Sequence, residues 1–367
     1  MTADHKVPTG DEPGAAPRRR RRSRVLIASG VALACVLAAG GAAAGIAYWH
    51  LDNNIKSVDI NSALGTDRPS KVTAGASASA SASASASQTP VATGAMNILV
   101  LGSDSRSGKS NSKLGGGTSS GARSDTAMIV HINNAHTKAT VVSIPRDTLV
   151  YRPSCPTSSG GTTSAAYSAM FNSAFSVGGA VCAVKTVETL TNVRMDHYIE
   201  IDFSGFAKLI DALGGVTVTT TQDIDDDQSH LHLKAGTHHL SGTKALAFAR
   251  TRHGVGDGSD LGRIKLQQQL IKALLKQVSS ADLLTNPAKL YEVAVTATGA
   301  ITTDTDLDSL SELMSLGSSL REIGSDNLTA ITMPVTTAPS DPNRVVATSA
   351  ATKVWTALRN DTALPKG

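Results

Sequence analysis

The sequence predicts an α/β fold: a layered α-β-α domain with a central mixed β-sheet, preceded by one transmembrane helix and a disordered linker. From residue 95 onward, short apolar runs bounded by turn residues alternate with stretches of helical period, and this alternation is typical of helices layered on a sheet. Two of the runs, "AMIVHI" and "ATVVSI", are joined only by the turn-rich "NNAHTK". That spacing indicates antiparallel neighbours within the sheet.

The N-terminal residues predict a membrane anchor. Residues 1–24 form a basic tail with seven Lys/Arg and three Asp/Glu, and residues 25–49 carry no charge. The uncharged segment is long enough to cross a bilayer as a helix. Arginines before it, and Tyr48 and Trp49 at its end, predict a single-pass membrane protein with a cytoplasmic N-terminus and an extracytoplasmic remainder. A cleaved secretory signal, or a lipoprotein signal ending at Cys35, is the alternative.

A linker and one folded domain are expected after the anchor. Residues 50–94 are polar and small, with a strict Ala-Ser repeat at residues 76–87. They contain too little apolar surface to form a core, which predicts a flexible linker. The folded extracytoplasmic domain is expected at residues 95–361.

The charge distribution excludes one class of partner. The net charge of +4 belongs entirely to the basic tail, because the other 343 residues carry 27 Lys/Arg and 27 Asp/Glu. A nucleic-acid-binding domain would need a basic face. The sequence therefore predicts no nucleic-acid partner.

Two cysteines, Cys155 and Cys182, lie beyond the predicted anchor. In an oxidising compartment such a pair predicts a disulfide. A metal site is the alternative, but neither cysteine is accompanied by a CxxC pattern or by a nearby pair of histidines.

The elements of the domain follow from the apolar patterns. Strands are predicted where apolar residues run continuously or alternate between turn signals. The strand segments, in order, are "MNILVLG", "AMIVHI", "ATVVSI", "DHYIEID", "VTVTT" and "LTAITMPV". Helices are predicted where apolar residues recur at helical spacing. The helical segments are "CAVKTVETLTNV", "FSGFAKLIDALGG", residues 263–278 and residues 306–321.

Charged residues cluster near the ends of the predicted strands. The strand-end residues are Asp104 and Arg106 after the first strand, Arg123 and Asp125 before the second, and Arg146 and Asp147 after the third. Each pair alone is also explained as a surface turn with a weak ion pair. Ligands of open α/β sheets, however, gather outside strand ends, and the recurrence favours a binding site.

Further along the chain, two more pairs extend this pattern. Arg250 and Arg252 are two residues apart, so on an extended backbone both would point to one side. Arg263 and Gln267 are four apart and share one face of a helix. Arginine forks suit phosphate oxygens, and paired aspartates suit Mg²⁺ bound to phosphate. Together these residues predict a diphosphate site.

Several motifs, taken together, resemble the LytR-CpsA-Psr family in order and spacing. They are "ILVLGSDSR", "RSDTAMIVHI", "VVSIPRDT", "FNSAFSVGG", "DHYIEIDFSGFAKLIDALGGVTV", "LSGTKALAFARTRH" and "GRIKLQQQ". The resemblance covers about residues 95–280, with a weaker continuation to about residue 360. It implies a phosphotransferase that moves a glycopolymer from a polyprenyl-diphosphate carrier to peptidoglycan, forming a phosphodiester in cell-wall assembly. The implied partners are the lipid-linked glycopolymer, the peptidoglycan acceptor and the membrane.

The resemblance also implies roles for individual residues. Asp104 and Asp125 would hold Mg²⁺ or another divalent cation. The substrate-binding residues would be Arg106, Arg123, Arg146, Arg250, Arg252, Arg263 and Gln267, with Arg106 and Arg123 in supporting positions. The catalytic residues would be Arg146, Asp147, Arg250, Arg252, Arg263 and Asp125. Asp147 or Asp125 could accept the proton of the attacking hydroxyl; the alternative for Asp147 is that it orients Arg146.

Two other functions compete with the ligase. A polyprenyl-diphosphate pyrophosphatase would use the same site with water as the acceptor. A non-catalytic module would bind lipid-linked cell-wall polymer through the arginines. Paired carboxylates favour an enzyme, because a binder of diphosphate gains little from them unless a cation is bound.

Overall fold

The computed structural model describes residues 44–71, 94–103, 124–157, 160–252, 260–278, 285–320 and 323–365. The chain divides into two units, residues 1–50 and 51–367. Of the first unit, residues 44–50 are described and are helical. No helix among the described residues is both long and apolar enough to cross a bilayer. The basic tail and most of the predicted anchor lie outside the described residues.

The second unit is an α/β domain. Its strands are β1 (Lys56–Val58), β2 (Met96–Ser103), β3 (Ser124–Ile132), β4 (Ala139–Ile144), β5 (Leu149–Arg152), β6 (Ala166–Met170), β7 (His197–Asp202), β8 (Val216–Thr220), β9 (Ile224–Asp226), β10 (Leu231–Leu233), β11 (Gly236–Leu240), β12 (Ile301–Asp304), β13 (Leu328–Thr332), β14 (Val335–Ala338) and β15 (Asp341–Ala347). Its helices are α1 (Ile60–Leu64), α2 (Ser173–Thr191), α3 (Phe203–Ala212), α4 (Gly242–Arg250), α5 (Asp260–Val278), α6 (Pro287–Ala300), α7 (Leu310–Ser319) and α8 (Ser349–Arg359).

The central sheet is mixed, as the sequence predicts. Seven strands lie in the order β1-β12-β7-β2-β3-β4-β13. The pairs β1–β12, β2–β7 and β4–β13 are parallel, whereas β7–β12, β2–β3 and β3–β4 are antiparallel. The smaller sheets among the described residues pair β5 with β6, β8 with β11, β9 with β10 and β14 with β15.

Helices cover both faces of the central sheet. On one face, Leu99 of β2 packs in a buried cluster with Val184 of α2 and Trp355 of α8. On the other face, Val141 of β4 belongs to a cluster that includes Ile271 of α5. Because both faces bury apolar side chains, the central strands read as nearly continuous apolar runs. The predicted α-β-α layering is confirmed.

Most of the predicted segments form the expected elements, with shifts that have local causes. The helix predicted from "CAVKTVETLTNV" begins earlier than expected, at Ser173. Its first turns were not predicted, because Gly178 and Gly179 interrupt the helix with non-helical backbone angles. Gly179 has a φ of 62°, which favours glycine. The helix expected at residues 306–321 occupies Leu310–Ser319 and follows a short 3₁₀ turn.

The prediction that residues 50–94 form a linker is wrong for residues 51–71, which belong to the folded unit. Residues 56–58 form β1, which pairs in parallel with β12 at the edge of the central sheet. Arg68 then forms a buried ion pair with Glu188 of α2 at 2.6 Å. The folded unit therefore begins at Leu51 rather than at residue 95. A three-residue strand and one short helical turn are too brief to stand out from a polar sequence.

Residues on both sides of the Ala-Ser repeat thus belong to one folded unit. Residues 51–71 precede the repeat and pack with elements that follow it. The repeat itself lies outside the described residues. In the chain order, it connects two parts of the domain and does not separate the domain from the predicted anchor.

Cys155, in the loop that joins β5 to β6, faces Cys182 of α2. Their Cα atoms are 5.2 Å apart and their sulfur atoms are at bonding distance, which is compatible with a disulfide. The disulfide itself stays a prediction. Mass spectrometry of the unreduced protein should find the two cysteines linked, and their reduction should lower the free energy of unfolding by about 3–4 kcal/mol. Finding both thiols free would contradict the pairing.

Asp304 ties strand β12 to its neighbour β7. Its carboxylate is buried and accepts hydrogen bonds from the backbone N–H groups of Tyr198, at 2.7 Å, and Asp306, at 2.9 Å. Burial would raise the pKa of Asp304, but the bonds from His197 and these N–H groups outweigh it and lower this pKa below its ordinary value. The native state therefore favours the charged carboxylate.

Stability should depend on the charge of Asp304. A lowered native pKa stabilises the fold fully above the unfolded pKa of about 4, and this contribution is lost as the pH falls through the native value. Asp304→Asn should therefore lower the free energy of unfolding by about 1–3 kcal/mol at pH 7, and the difference from wild type should shrink in acid. Urea unfolding at both pH values measures this, with the exposed Asp308→Asn as the control. A loss that does not vary with pH would contradict the ionic role.

Candidate active site

A pocket of about 240 Å³ lies between the central sheet and helices α3, α4 and α5. The charged and amide side chains that line it include Asp125, Arg146, Arg250, Arg252, Arg263 and Gln267. The apolar lining includes Phe203, Phe206, Leu246, Leu270, Ile271 and Leu274. The pocket thus combines an apolar wall with a cluster of guanidinium groups.

Helix α5 contributes to both parts of the pocket from one face. Arg263, Gln267, Leu270 and Leu274 are spaced four, three and four residues apart, and all of them line the pocket. This spacing places side chains on one side of a helix. From Arg263 to Leu274 the helix rises by about 16 Å. The lining along this face therefore changes from cationic to apolar in the direction of the helix axis.

Arg146 lies two residues beyond the end of β4, where β3 begins. The antiparallel register pairs Ala127 with Ile144, which brings the start of β3 beside the end of β4. Nη1 of Arg146 is 2.6 Å from Oδ1 of Asp125, and the backbone N–H of Arg146 donates to Oδ2 of Asp260 at 3.2 Å. Contacts from β3 and α5 thus hold this residue.

Arg263 is buried beneath this pair, with 4% of its surface exposed. It forms an ion pair with Asp260, one turn earlier in α5. Its Nη2 also donates to the backbone oxygen of Asp125 at 2.9 Å. Asp260 therefore joins the helix start to the end of β4.

Asp147 is shared by three guanidinium groups. Its Oδ2 lies 3.6 Å from Nε of Arg146 and 3.6 Å from Nη2 of Arg252. Its Oδ1 lies 3.4 Å from Nη1 of Arg344, which belongs to β15. These distances exceed the 2.7–2.9 Å of strong charge-assisted hydrogen bonds. One carboxylate therefore aligns three arginines without saturating any of them.

The expectation that Arg250 and Arg252 lie on extended backbone is wrong. Residues 242–250 form helix α4, so Arg250 is the last residue of a helix and Arg252 follows it. The guanidinium of Arg250 lies 5.0 Å from the ring centre of Phe203, within the range of a cation–π contact. Both arginines still line the pocket, because the chain turns at the end of α4.

Gln267 and Asp226 hold the backbone around the pocket. The side-chain amide of Gln267 donates to Oγ1 of Thr126 at 2.9 Å and to the backbone oxygen of Ala249 at 3.0 Å. The buried carboxylate of Asp226 accepts from the backbone N–H of Arg252 at 2.9 Å. These bonds attach α5 and the end of α4 to neighbouring elements.

The surroundings of the pocket raise the pKa of Arg146 and lower the pKa of Arg263. Burial would lower the pKa of Arg146, but Asp125, Asp147 and Asp260 outweigh it and raise this pKa above its ordinary value. Burial lowers the pKa of Arg263, and the positive charge of Arg146 adds to this effect although Asp260 opposes it. Arginine still stays protonated in proteins, so the pocket keeps its positive charges.

Among the arginines that line the pocket, three buried guanidinium nitrogens have no hydrogen-bond partner in the described part of the chain. They are the Nε atoms of Arg146, Arg252 and Arg263. An unsatisfied buried donor costs about 1–3 kcal/mol, and more when charged. Unsatisfied donors beside an open pocket indicate a site for an anion with several acceptor oxygens.

Three of the predicted site residues, Asp104, Arg106 and Arg123, lie outside the described residues. The predicted partner of Asp104 in metal binding, Asp125, contacts Arg146 through Oδ1 and is partly exposed. Its second oxygen accepts no hydrogen bond from the described part of the chain. A carboxylate oxygen that faces a pocket is a suitable ligand for Mg²⁺, so Asp125 fits that role.

Three residues that shape the site were not predicted from the sequence: Asp226, Asp260 and Arg344. Asp260 lies one turn before Arg263, and this i,i+3 spacing at a helix start was a usable signal. Arg344 lies about 200 residues after Asp147, in a C-terminal hairpin with no pattern that indicates a site. Only the fold brings Arg344 to Asp147.

Comparisons with known proteins identify relatives over most of the chain. The model of the LytR_cpsA_psr family matches residues 47–360. The chain is 33% identical over 268 residues to the cell wall biosynthesis protein LcpA of Corynebacterium glutamicum. This match covers 67% of this chain and 51% of LcpA. The chain is also 34% identical over 187 residues to TagV of Bacillus subtilis, a protein named polyisoprenyl-teichoic acid–peptidoglycan teichoic acid transferase. This match covers 50% of this chain and 45% of TagV.

The fold agrees with these matches. The crystal structure of Bacillus subtilis TagV has a TM-score of 0.56 with 27% identity, and the superposition covers 74% of this chain and 99% of that one. The chain spans about half the length of the curated relatives that it matches. Because the family model matches far more than half of the chain, this protein belongs to the LytR-CpsA-Psr family.

Proposed function

We propose that this protein is a phosphotransferase that moves a glycopolymer from a polyprenyl-diphosphate carrier to peptidoglycan, forming a phosphodiester. The observation that carries the proposal is the unsatisfied Nε donors of Arg146, Arg252 and Arg263 beside a pocket with an apolar wall. A polyprenyl diphosphate has both complementary parts, an anionic head and an apolar tail. The name of TagV, a polyisoprenyl-teichoic acid–peptidoglycan teichoic acid transferase, supports the same substrate class.

The arginines would hold the diphosphate and stabilise charge in the transition state. Phosphoryl transfer depends on positioning and on neutralising negative charge that spreads over the phosphate oxygens. A sugar hydroxyl of the acceptor attacks the phosphorus on the polymer side, and the bridging P–O bond to the polyprenyl phosphate breaks. Arg146, Arg252 and Arg263 would stabilise both the attacked phosphate and the leaving phosphate.

Asp147 would orient these arginines. Its contacts with Arg146, Arg252 and Arg344 support this role, because one carboxylate that contacts three guanidinium groups fixes their positions relative to one another. Arg344 would in turn hold Asp147 from the opposite side.

A divalent cation would complete the charge balance. Among the described residues, five arginines at or beside the pocket (Arg146, Arg250, Arg252, Arg263 and Arg344) face four aspartates (Asp125, Asp147, Asp226 and Asp260). A diphosphate would bring more negative charge than this set neutralises. When bound, Mg²⁺ would neutralise phosphate oxygens, and we propose Asp125 and Asp104 as its protein ligands.

The metal proposal is tested by binding. In thermal denaturation of the protein with a polyprenyl-diphosphate analogue, Asp125→Asn should raise the Mg²⁺ concentration needed for stabilisation by at least about tenfold. The control is Asp225→Asn, because Asp225, Asp227 and His232 form an exposed group that could also hold a metal ion. Equal Mg²⁺ responses of wild type and Asp125→Asn would contradict the assignment.

The proposed topology follows the sequence. We propose a single-pass protein of the cell membrane, with residues 25–49 as the anchor, a cytoplasmic N-terminus and the domain outside. The folded unit starts at Leu51, directly after this segment in the sequence.

The function is tested with the full-length protein in detergent. The assay mixture contains the protein, a lipid-linked polymer with a labelled sugar, and purified peptidoglycan sacculi. The proposal predicts label attached to the sacculi through a phosphodiester, with one polyprenyl monophosphate released per polymer attached. Release of polyprenyl phosphate without attachment would instead indicate a pyrophosphatase, and binding without either product would indicate a non-catalytic module.

A further inference from the structure

Two exposed tyrosines form a contacting pair on the β5–β6 hairpin. Tyr151 of β5 is 40% exposed and Tyr167 of β6 is 84% exposed, and their ring centres are 4.8 Å apart. Aromatic residues make up only 3% of this chain. Single exposed apolar residues need no explanation, but adjoining ones form a patch that indicates a binding surface.

The hairpin that carries the tyrosines is firmly held. Nζ of Lys185 in α2 donates to the backbone oxygen of Ser154 at 3.0 Å, and Nη2 of Arg152 donates to the backbone oxygen of Ser164 at 3.1 Å. Cys155 adjoins Cys182 of the same helix. A surface that is already ordered loses little conformational entropy when a ligand binds.

The same hairpin starts and ends at the phosphate-binding pocket. The backbone N–H of Asn172, just after β6, donates to the backbone oxygen of Arg146 at 3.2 Å. The N–H of Phe171 donates to the oxygen of Thr148 at 2.8 Å. Tyr151 follows Asp147 by four residues, so their Cα atoms are at most about 14 Å apart.

Arg344 lies beside the segment that joins the pocket to this hairpin. Its neighbour Val345 pairs with Thr148, and its guanidinium contacts Asp147 while 30% of its side chain is exposed. A partly exposed cation therefore adjoins the segment that leads from the pocket to the tyrosine hairpin.

We infer that Tyr151 and Tyr167 form the subsite for the sugar rings of the acceptor glycan, with Arg344 facing its acidic groups; this rests on the proposed function. The faces of tyrosine rings offer apolar area and their hydroxyls a polar contact, which suits a pyranose with its C–H face and hydroxyl rim. The acceptor must reach the polymer-side phosphorus at the pocket. A subsite on a rigid hairpin that begins at Arg146 would hold a glycan strand in that position.

The test is retention of the full-length protein on purified sacculi stripped of attached polymer. Tyr151→Ala and Tyr167→Ala should each weaken retention about 2- to 10-fold, as expected for loss of one aromatic contact. Tyr151→Phe and Tyr167→Phe keep the rings and should retain most of the affinity. The matched control is Tyr291→Ala, because Tyr291 of α6 is 42% exposed, similar to Tyr151.

Binding of a polyprenyl-diphosphate analogue to the same variants separates this inference from the proposed function. The inference requires that analogue binding and melting temperature stay at wild-type values while retention on sacculi falls. Equal retention of wild type and both alanine variants, or a wild type that is not retained, would overturn the subsite but not the donor pocket. Loss of analogue binding in the tyrosine variants would also overturn it, because the hairpin would then belong to the donor site. A wild type that binds no analogue would instead refute the proposed function.

Discussion

Arg146→Ala is expected to abolish most of the transfer activity. The guanidinium of Arg146 contacts Asp125 and lies close to Asp147, and its Nε has no hydrogen-bond partner among the described residues. Loss of a charge-assisted contact with the diphosphate should weaken donor binding by about 10- to 150-fold. Loss of charge stabilisation in the transition state should lower the transfer rate by about 10³-fold or more.

Two further variants make this result specific. Arg146→Lys keeps the charge but loses the planar fork, so it should recover only part of the donor affinity. Arg359→Ala removes an arginine of α8 that contacts the backbone oxygen of Asn192, outside the pocket, and should leave both values unchanged. Donor binding by calorimetry and transfer to sacculi measure the two effects separately. Wild-type donor affinity in Arg146→Ala would place the diphosphate elsewhere.

Arg68→Met is expected to lower the free energy of unfolding by about 3–5 kcal/mol. Arg68 and Glu188 are 2% and 3% exposed, and Nη2 of Arg68 also donates to the backbone oxygen of Met195 at 2.8 Å. Its removal would leave the carboxylate of Glu188 buried without its cation. A protein that starts at residue 95 lacks Arg68, β1 and α1 together, and should fail to fold stably.

A neighbouring ion pair supplies the control. Lys71 contacts Asp196 at 2.8 Å, but its side chain is 53% exposed, so Lys71→Met should change stability by less than about 1 kcal/mol. Glu188→Gln added to Arg68→Met should recover part of the loss, because it removes the unpaired charge. Urea unfolding measures all of these. Equal stability of Arg68→Met and Lys71→Met would mean that residues 51–71 are not part of the folded unit.

The central sheet was predictable because burial on two faces produces apolar runs. The runs that became β2, β3 and β4 are long, and helices pack against both sides of them. β1 was not predictable, because three residues in a polar segment carry no periodic signal. Its place in the sheet depends on pairing with β12, almost 250 residues later.

The site was predictable where residue type reflects chemistry. Arg146, Arg252 and Arg263 were identified as candidates because arginine suits phosphate, and the fold brings them to one pocket. The backbone conformation at Arg250 was not predicted correctly, because the end of an alanine-rich helix was interpreted as extended backbone. Arg344 and the pair of tyrosines depend on contacts between distant segments, which a single sequence does not reveal.

The most direct test of the account is a crystal structure of the domain from residue 51 with a short-chain polyprenyl-diphosphate analogue. The account predicts diphosphate oxygens about 2.7–2.9 Å from Nε of Arg146 and Arg252, with the tail against Leu270 and Phe206. An analogue bound away from these arginines, or a head group that leaves their Nε atoms without a partner, would contradict it.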